Sequence, residues 1–439
     1  GLKHGSSFNF FPASAYHGPF LSLLRNHPRQ GLNLIIDMMN TSADWYANPR
    51  VASQIEPPFQ ITLKFADGTT KIQQCNARLW NLYRGTSVGP YVLQSILMAL
   101  EQWLMEVAEE LQADLDQLLL QILRRSDSAA LTAVVASVAT AYPFISGETL
   151  LVLLRSRKCI LLDQNRLVHE YGRPSNISAL MPSLSKHKIF ENERREADAR
   201  PHRYQDLERA IINLQLGPLA PRVHEILDQH HADLQRIEAQ DEEDRVWRLA
   251  LHRMDLRQYT ATEEIAETTG NTDGERTEEA QIYIRLELNE PDPDIKEMAN
   301  RSAIKLQSLD FRNDILWWGV SVFRGEDLTR YDPDQWRQML QNARTIRSSD
   351  SDNEKRDLAW NGPGYVAAVC VRDHWDEMSD DEKRWSVDLI CSEVEREQDQ
   401  WNTHARIQRF NLSADRGCAY VLPLLIAKSL DDTLTSRVR

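Results

Sequence analysis

The sequence lacks several features that mark large functional classes, beginning with paired cysteines. It has five cysteines in 439 residues, they lie far apart, and none belongs to a C-x-x-C pair. An odd number of isolated cysteines argues against a disulfide framework and against a structural zinc site. The pattern is typical of free thiols in a reducing cytoplasm. The residues are Cys75, Cys159, Cys370, Cys391 and Cys418.

Positive charge and long apolar runs are also scarce. The chain carries 51 Lys and Arg against 65 Asp and Glu, a net charge of -14, which disfavours nonspecific binding to nucleic-acid phosphates. The basic run from Arg194 to Arg203 is interleaved with acidic residues, so we expect a solvated helix face there. The alternative is a nucleic-acid scaffold along residues 189–216. The longest uncharged window, residues 128–147, is too rich in Ser, Thr, Ala and Pro for a membrane span, and no secretory leader is recognisable.

Catalytic signatures are absent as well. The sequence has no G-x-x-x-x-G-K-[ST] loop, no G-x-G-x-x-G after a strand and no G-x-S-x-G elbow. His224, Asp228 and His231 lie at i, i+4 and i+7, so a helix would place them on one side, where they could hold a divalent metal. A histidine-rich polar helix face is the simpler interpretation. We predict no catalytic residue, no cofactor and no metal, with a metal-dependent hydrolase or nuclease using these three residues as the alternative.

What the sequence does contain is helical periodicity. Apolar residues recur every three or four positions across residues 92–110 and 111–123, and residues 128–140 are small or β-branched with no charge. A helix that is apolar nearly all round must be covered on several sides. A fourth apolar run covers residues 150–154. Four short helices with a shared apolar seam are typical of a HEAT or armadillo α-solenoid. The seam is predicted to run through Leu104, Leu119, Val135 and Leu153.

Other stretches predict insertions between helices. Residues 60–65 alternate apolar and polar, Asp67-Gly68 is a two-residue turn signal, and residues 71–75 return, which predicts a β-hairpin. Such a hairpin either forms a functional lip on the solenoid edge or is decorative. Residues 220–259 are predicted as one long helix that pairs with a charged helix over 189–216. Residues 260–280 have almost no large apolar residue, which predicts a mobile loop, and residues 281–288 alternate like a strand.

The C-terminal part is rich in tryptophan and again helical. Ser379 and Glu382 form a capping box, which starts a helix by satisfying its free amides. Tryptophan side chains usually fill a core, whereas exposed ones mark an interface. The tryptophans are Trp317, Trp318, Trp336, Trp360, Trp375, Trp385 and Trp401. The predicted segments are an N-terminal helical unit (1–57), the β-hairpin insertion (58–76), a HEAT-like array (77–188), a long charged helical hairpin (189–259), a mobile acidic loop with a short strand (260–293), and C-terminal helical repeats (294–439).

Three stretches carry a resemblance to a known family. They are the run FFPASAYHGPF at 10–20, the runs ARLW at 77–80 and YRG at 83–85, and the run VGPYVLQ at 88–94. Over about the first third of the chain they resemble the helical region that follows the nucleotidase module in very large bacterial STAND-type ATPases of anti-phage (AVAST-like) defence. These runs are structural, so no active-site residue is carried over.

The resemblance implies that the ATPase and any effector lie outside this piece, and that the helical array senses a phage protein or relays that sensing to oligomerisation. Since the sequence begins at Gly1 without methionine, we expect a fragment. The expected fold is all-α, a HEAT/armadillo-like α-solenoid with a small β-hairpin insertion and a long helical hairpin. The expected function is a cytoplasmic, non-catalytic interaction module. Its partner is a phage protein or another part of the same chain, with no membrane or nucleic-acid partner, and homo-oligomerisation stays open.

Overall fold

The computed structural model describes residues 10, 12–46, 58–85, 89–171, 188–272, 275–325, 328–348, 358–395 and 413–428. Contacts divide the chain into two compact units. The first comprises Gly1–Leu167 and Ala199–Ala303, and the second comprises Val168–Asp198 and Ile304–Arg439. The described residues are mostly helical, with two antiparallel strand pairs among them. The all-α class with a small β-hairpin is therefore confirmed.

The helices are numbered in chain order. The first are α1 (Phe20–Asn26), α2 (Pro28–Tyr46), α3 (Ala77–Trp80), α4 (Tyr91–Glu110), α5 (Gln112–Arg125), α6 (Ala129–Ala141), α7 (Gly147–Leu154) and α8 (Arg157–Tyr171). The next are α9 (Lys188–Asp198), α10 (Leu207–Leu214), α11 (Ala220–Gln235), α12 (Glu242–Met254), α13 (Pro293–Arg324), α14 (Trp336–Arg347), α15 (Gly362–Asp373), α16 (Asp380–Glu395) and α17 (Ala414–Ile426). The strands are β1 (Phe59–Lys64), β2 (Thr70–Cys75), β3 (Tyr259–Thr272) and β4 (Glu275–Leu288).

The core of the first unit forms around α6. Every residue from Ala129 to Thr140 is buried, because small side chains let α2, α3, α4, α5, α7, α10 and β2 all approach this helix. The four predicted helices α4 to α7 are confirmed, and their apolar faces merge into one cluster. The predicted seam residues are all buried within that cluster: Leu104, Leu119, Val135 and Leu153.

The β1–β2 hairpin is confirmed, but it packs on the core and does not form a lip. The register pairs Phe59 with Cys75 and Lys64 with Thr70, and Gly68 takes a left-handed φ of 79° at the turn. Its inner side chains belong to the core, and the Thr132 hydroxyl of α6 donates to Gln73 Oε1 at 2.6 Å. The hairpin therefore covers one side of α6. The alternation that predicted it reflects this half-buried position.

Two long helices were expected between residues 189 and 259, and the structure has shorter ones. A 3-10 helix, Pro201–Tyr204, separates α9 from α10, and residues 236–241 separate α11 from α12. Local caps explain the new starts: Asp206 accepts from the Arg209 amide at 3.1 Å, and Asp241 forms a capping box with Asp244. The acidic stretch near 241 is therefore a helix start, which the long-helix interpretation overlooked.

The predicted mobile loop over 260–280 is wrong, since residues 260–272 and 275–280 belong to a strand pair. Strands β3 and β4 have 14 residues each and pair antiparallel from Tyr259–Leu288 to Thr272–Glu275. The sequence Asp273-Gly274 lies between the last paired residues, and Asp-Gly is a strong hairpin signal. Main-chain hydrogen bonds join the two strands whatever their side chains are, so low apolar content did not prevent strand formation. The predicted strand over 281–288 is confirmed as the end of β4.

The second unit packs its tryptophans as expected. Trp317, Trp318, Trp336, Trp360 and Trp375 are buried, Trp385 is partly buried, and Trp401 lies outside the described residues. Helix α15 lies in the centre and contacts α14, α16 and α17. The predicted capping box is confirmed, since the Ser379 amide donates to Glu382 at 2.8 Å and the Glu382 amide donates to Ser379 Oγ at 3.3 Å.

All five cysteines are buried as free thiols. Among the described helices, none combines the length and the apolar content that crossing a membrane requires.

Candidate interaction surface

The β3–β4 hairpin, called the arm below, is fixed at its base to α12. The Asn289 amide donates to Gln258 O at 2.8 Å, and the Tyr259 hydroxyl donates to Arg253 O at 2.6 Å. The His252 ring bonds to Asn289 O at 2.8 Å, and Thr260 Oγ1 donates to Asn289 Oδ1 at 2.7 Å. These contacts bring the first and last residues of the arm to one point. A ribbon of this length extends about 45 Å.

A second set of contacts holds the chain just after the arm. Arg248 of α12 pairs with Asp292 and Asp294, both at 2.9 Å. Below these ion pairs, Leu249 packs in a small apolar cluster with Ile295 and Met298 at the start of α13. Both ends of the arm therefore leave from packed helices, and its base has a defined position on the first unit.

The part of β4 nearest the base of the arm exposes a row of large apolar side chains. Ile284, Leu286 and Leu288 are 69%, 41% and 38% exposed, although such residues are normally among the most buried. Residues two apart on a strand point to the same face, so the three form one stripe. The register places Glu263, Ala261 and Tyr259 opposite them. A row of exposed apolar side chains is a feature of binding surfaces.

The same three residues form an open main-chain edge. The Asn289–Gln258 hydrogen bond makes that position a bonded pair, and bonded and non-bonded pairs alternate in antiparallel strands. The next pair, Tyr259 with Leu288, is therefore non-bonded, and so are the pairs of Leu286 and Ile284. Residues of such pairs point their N–H and C=O groups away from the partner strand. In the described part of the chain these groups have no further main-chain partner.

The arm is also strongly acidic. Its two strands carry seven glutamates and two arginines. Arg285 pairs with Glu287 on the same strand at 3.2 Å, whereas Glu263 makes no ion pair within the described residues. At the base, Arg248 is already paired with two aspartates, and Lys296 is paired with Glu290 at 2.7 Å. These two cations at the base are therefore already engaged by neighbouring carboxylates.

A separate cavity of about 310 Å³ lies in the first unit, and its polar lining groups bind one another. Arg200 donates to Gln102, which in turn donates to Glu106 at 2.8 Å, and the Tyr142 hydroxyl donates to Glu109 at 3.3 Å. No ligand chemistry is assigned to it. The lining consists of Gln102, Met105, Glu106, Glu109, Ala141, Tyr142, Arg200, Pro201 and His202.

A buried ion pair lies next to this cavity. Glu101 pairs with Arg203, and the Ser137 hydroxyl bridges them, donating to Glu101 at 2.5 Å and accepting from Arg203 at 3.1 Å. Burial, reinforced by the charge of Arg203, lowers the pKa of His202 to about 3. An imidazole with that pKa is a weak base and is neutral at pH 7. The group joins the 3-10 helix to α4 and α6, so its role is structural.

The residues of the metal alternative engage other partners. Arg257 donates to both carboxylate oxygens of Asp228, at 2.7 and 3.3 Å, and this hydrogen bonding lowers the pKa of Asp228. The His224 ring bonds to Gln215 Oε1 at 3.2 Å, and burial lowers the pKa of His231. Within the described residues, no group of three or more His, Cys, Asp or Glu side chains is arranged to hold a metal.

The expected solvated basic face between Arg194 and Arg203 is only partly correct, since Arg195 is exposed but Arg194 and Arg203 are buried. Arg194 pairs with Asp198 at 3.4 Å with both side chains buried, and Arg203 is buried against Glu101. The chain breaks at Pro201, so the run does not form one helix. Because Arg194 and Arg203 pair with carboxylates inside the protein, the run supplies no continuous basic surface for phosphates.

The arm was not predicted from the sequence as a candidate surface, although two signals for it are present. The signals for the arm were the Asp-Gly dipeptide at 273–274 and the alternation over 281–288.

No protein-family model matches this chain, and no curated protein matches it.

Proposed function

We propose that this chain is a non-catalytic protein-interaction module and that the arm carries its contact surface. One observation supports this most directly: Ile284, Leu286 and Leu288 combine exposed apolar side chains with an open strand edge, on a base fixed by Tyr259 and Asn289. Exposed strand edges are templates for pairing with another chain, and proteins normally cover or blunt them. An edge that is held in place and left open is suited to binding a partner.

The acidic residues that could act in catalysis are held by arginines, which favours a binding role over a catalytic one. The carboxylate of Asp228 is held by Arg257, and Glu101 is buried against Arg203. A catalyst needs a nucleophile or base that reaches a substrate pocket. The cavity is lined by a neutral His202 and by side chains bonded to one another. These contacts therefore give no support to the alternative of a metal-dependent hydrolase.

We further propose that the module is a cytoplasmic α-solenoid and the sensor or relay portion of a larger bacterial anti-phage ATPase. The support is the resemblance carried by residues 10–20, 77–85 and 88–94. Trp80 and Tyr83 in the second run are fully buried, which is consistent with a structural role for that run. The proposed partner is a phage protein or another part of the same large chain.

A capture experiment tests the module and the arm together. The double variant Ile284→Ser/Leu286→Ser removes the apolar stripe, and Leu34→Ser/Ile189→Ser is a matched control because those side chains are also exposed. Tagged forms of the full chain are incubated with bacterial extract made with and without phage infection, and bound proteins are quantified by mass spectrometry. A candidate is then purified and its binding remeasured.

We expect to capture a protein that binds the wild type and the control variant but not the arm variant. The same protein, once purified, should bind the wild type again. If no protein distinguishes the wild type from the arm variant in either extract, the arm is not a contact surface and the proposal fails.

A further inference from the structure

We propose that the open edge of β4 pairs with the same edge of a second copy of this chain, antiparallel and centred on Leu286. This inference rests on the proposed function, because it identifies what occupies the main-chain edge of the arm. It uses the five residues from Ile284 to Leu288, which are all exposed.

The main chain of this edge is complementary to itself. Ile284, Leu286 and Leu288 form non-bonded pairs with β3, so each directs its N–H and C=O outward. When two such edges meet antiparallel about Leu286, the two copies of Leu286 lie opposite each other and Ile284 lies opposite Leu288. Outward groups then face outward groups at all three pairs, which gives about six new hydrogen bonds. The two arms form one four-stranded sheet, which is more stable than a two-stranded ribbon.

The charges of the edge select this register. Arg285 and Glu287 point to the face opposite the apolar stripe, and they pair with each other at 3.2 Å within one strand. An antiparallel pairing about Leu286 places Arg285 of each copy opposite Glu287 of the other, and opposite charges across strands stabilise a sheet. An antiparallel pairing centred on Arg285 or on Glu287 would instead place like charges opposite each other. A parallel in-register pairing would do so at both positions.

The apolar stripe adds to the contact. A two-fold axis perpendicular to the sheet keeps the stripes of both copies on the same face, so Ile284, Leu286 and Leu288 meet their counterparts side by side. Contact between the stripes removes exposed apolar surface from water. The shared edge is about 14 Å long, which places it at the weak end of protein interfaces. We therefore expect a reversible dimer with a dissociation constant on the order of 10 µM.

Charge exchange tests the register on the full chain by sedimentation equilibrium. Arg285→Glu puts glutamate at both polar positions of the edge, and Glu287→Arg puts arginine at both, so like charges meet in either variant. Each should dimerise at least about fivefold more weakly than the wild type at low salt. The control Arg236→Glu makes the same change in net charge as Arg285→Glu at an exposed arginine of α11, and it should leave dimerisation unchanged.

Two combinations should restore the dimer. The double variant Arg285→Glu/Glu287→Arg again places opposite charges across the pairing and should dimerise within about twofold of the wild type. An equimolar mixture of the two single variants, one of them fluorescently labelled, should form a mixed dimer of similar strength. The weakening in the single variants should shrink at high salt because salt screens exposed charges.

Two further variants test the main-chain contact at its centre. Leu286→Pro removes the outward N–H of Leu286 from both copies, and proline is tolerated at an edge where the N–H faces solvent. It should weaken dimerisation by at least about tenfold. Leu286→Val keeps the N–H and an apolar side chain and should change dimerisation less than about threefold. Unchanged circular dichroism of both variants shows that the fold persists.

Several results would overturn the inference. These are a wild type that is still monomeric at about 200 µM, far above the expected dissociation constant, a double charge variant as weak as the single ones, and equal effects of Leu286→Pro and Leu286→Val. If the capture experiment yields an arm-dependent protein other than this chain while the purified chain is monomeric, the proposed function stands and this inference falls. Dimerisation that depends on Leu286, without any captured partner, has the opposite meaning.

Discussion

The buried Glu101–Arg203 pair gives the sharpest prediction about stability. Both side chains are at most 4% exposed, Ser137 bridges them, and the Arg203 guanidinium lies over the Tyr83 ring at 5.7 Å. Replacing Arg203 by Met keeps most of the side-chain volume and removes the charge. Breaking a buried pair in this way leaves an uncompensated carboxylate, which costs about 3–5 kcal/mol. We expect Arg203→Met to lower the unfolding free energy of the first unit by that amount at pH 7.

The pH dependence gives a second readout of the same change. Burial alone would raise the pKa of Glu101, but Arg203, with help from Arg84, holds that pKa well below its ordinary value. A lowered folded-state pKa stabilises the protein above the ordinary carboxyl range and loses this effect as the pH falls below about 4. Without Arg203, burial dominates and the pKa of Glu101 is raised instead of lowered. The variant then gains stability as Glu101 becomes protonated, so the difference in unfolding free energy between the wild type and Arg203→Met should narrow as the pH is lowered from 7 toward 4.

Urea unfolding followed by circular dichroism measures both effects. The double variant Glu101→Leu/Arg203→Met removes both charges. It should recover most of the unfolding free energy that Arg203→Met loses, because apolar replacement of a buried ion pair often leaves stability unchanged. The matched control is the exposed pair Arg236–Asp233, where Arg236→Met should cost less than about 1 kcal/mol. A cost below about 1 kcal/mol for Arg203→Met, or a double variant no more stable than the single one, would refute the reasoning.

Other structural features lead to further predictions. Burial raises the pKa of Glu208 to about 7. The wild type should therefore lose about 2–3 kcal/mol relative to Glu208→Gln as the pH rises from 5 to 8, which urea unfolding at both values checks. A Cβ on Gly362 would lie 2.8 Å from Leu316 N, so Gly362→Ala should lower stability by about 1–3 kcal/mol, measured by thermal denaturation. The control Gly217→Ala, where the added Cβ makes only ordinary contacts, should lower stability by about 0.5 kcal/mol or less. The five cysteines are buried and burial raises the pKa of Cys159 to about 12, so a thiol reagent should label them only after denaturant is added.

The helical core could be predicted because its signal is local. Residues 128–140 contain no charge, and a helix of that composition must be surrounded, as α6 is. The same holds for the capping box at Ser379 and Glu382, because these two residues lie within one turn. In the structure the backbone amide of each donates to the side chain of the other. Periodicity and caps involve residues a few positions apart, so the sequence alone reveals them.

The ion pairs could not be predicted because their partners are distant in sequence. Glu101 and Arg203 lie on separate elements, and nothing near either residue identifies the other. The basic run containing Arg203 therefore suggested a solvated face, although solvent is absent from that position. Charge patterning along a chain shows which side chains are charged, but their neutralisation depends on tertiary contacts.

The arm was missed for a reason that bears on its function. Residues 260–280 were interpreted as a loop because they have almost no large apolar side chain, yet apolar content predicts burial and does not by itself determine strand pairing. A ribbon in solvent needs extended backbone and a turn, and both signals were present. Local rules tend to fail at sites that a protein keeps for binding, where stability is not the main requirement. The exposed end at Ile284, Leu286 and Leu288 is such a place, because a sequence selected only for stability would cover that edge.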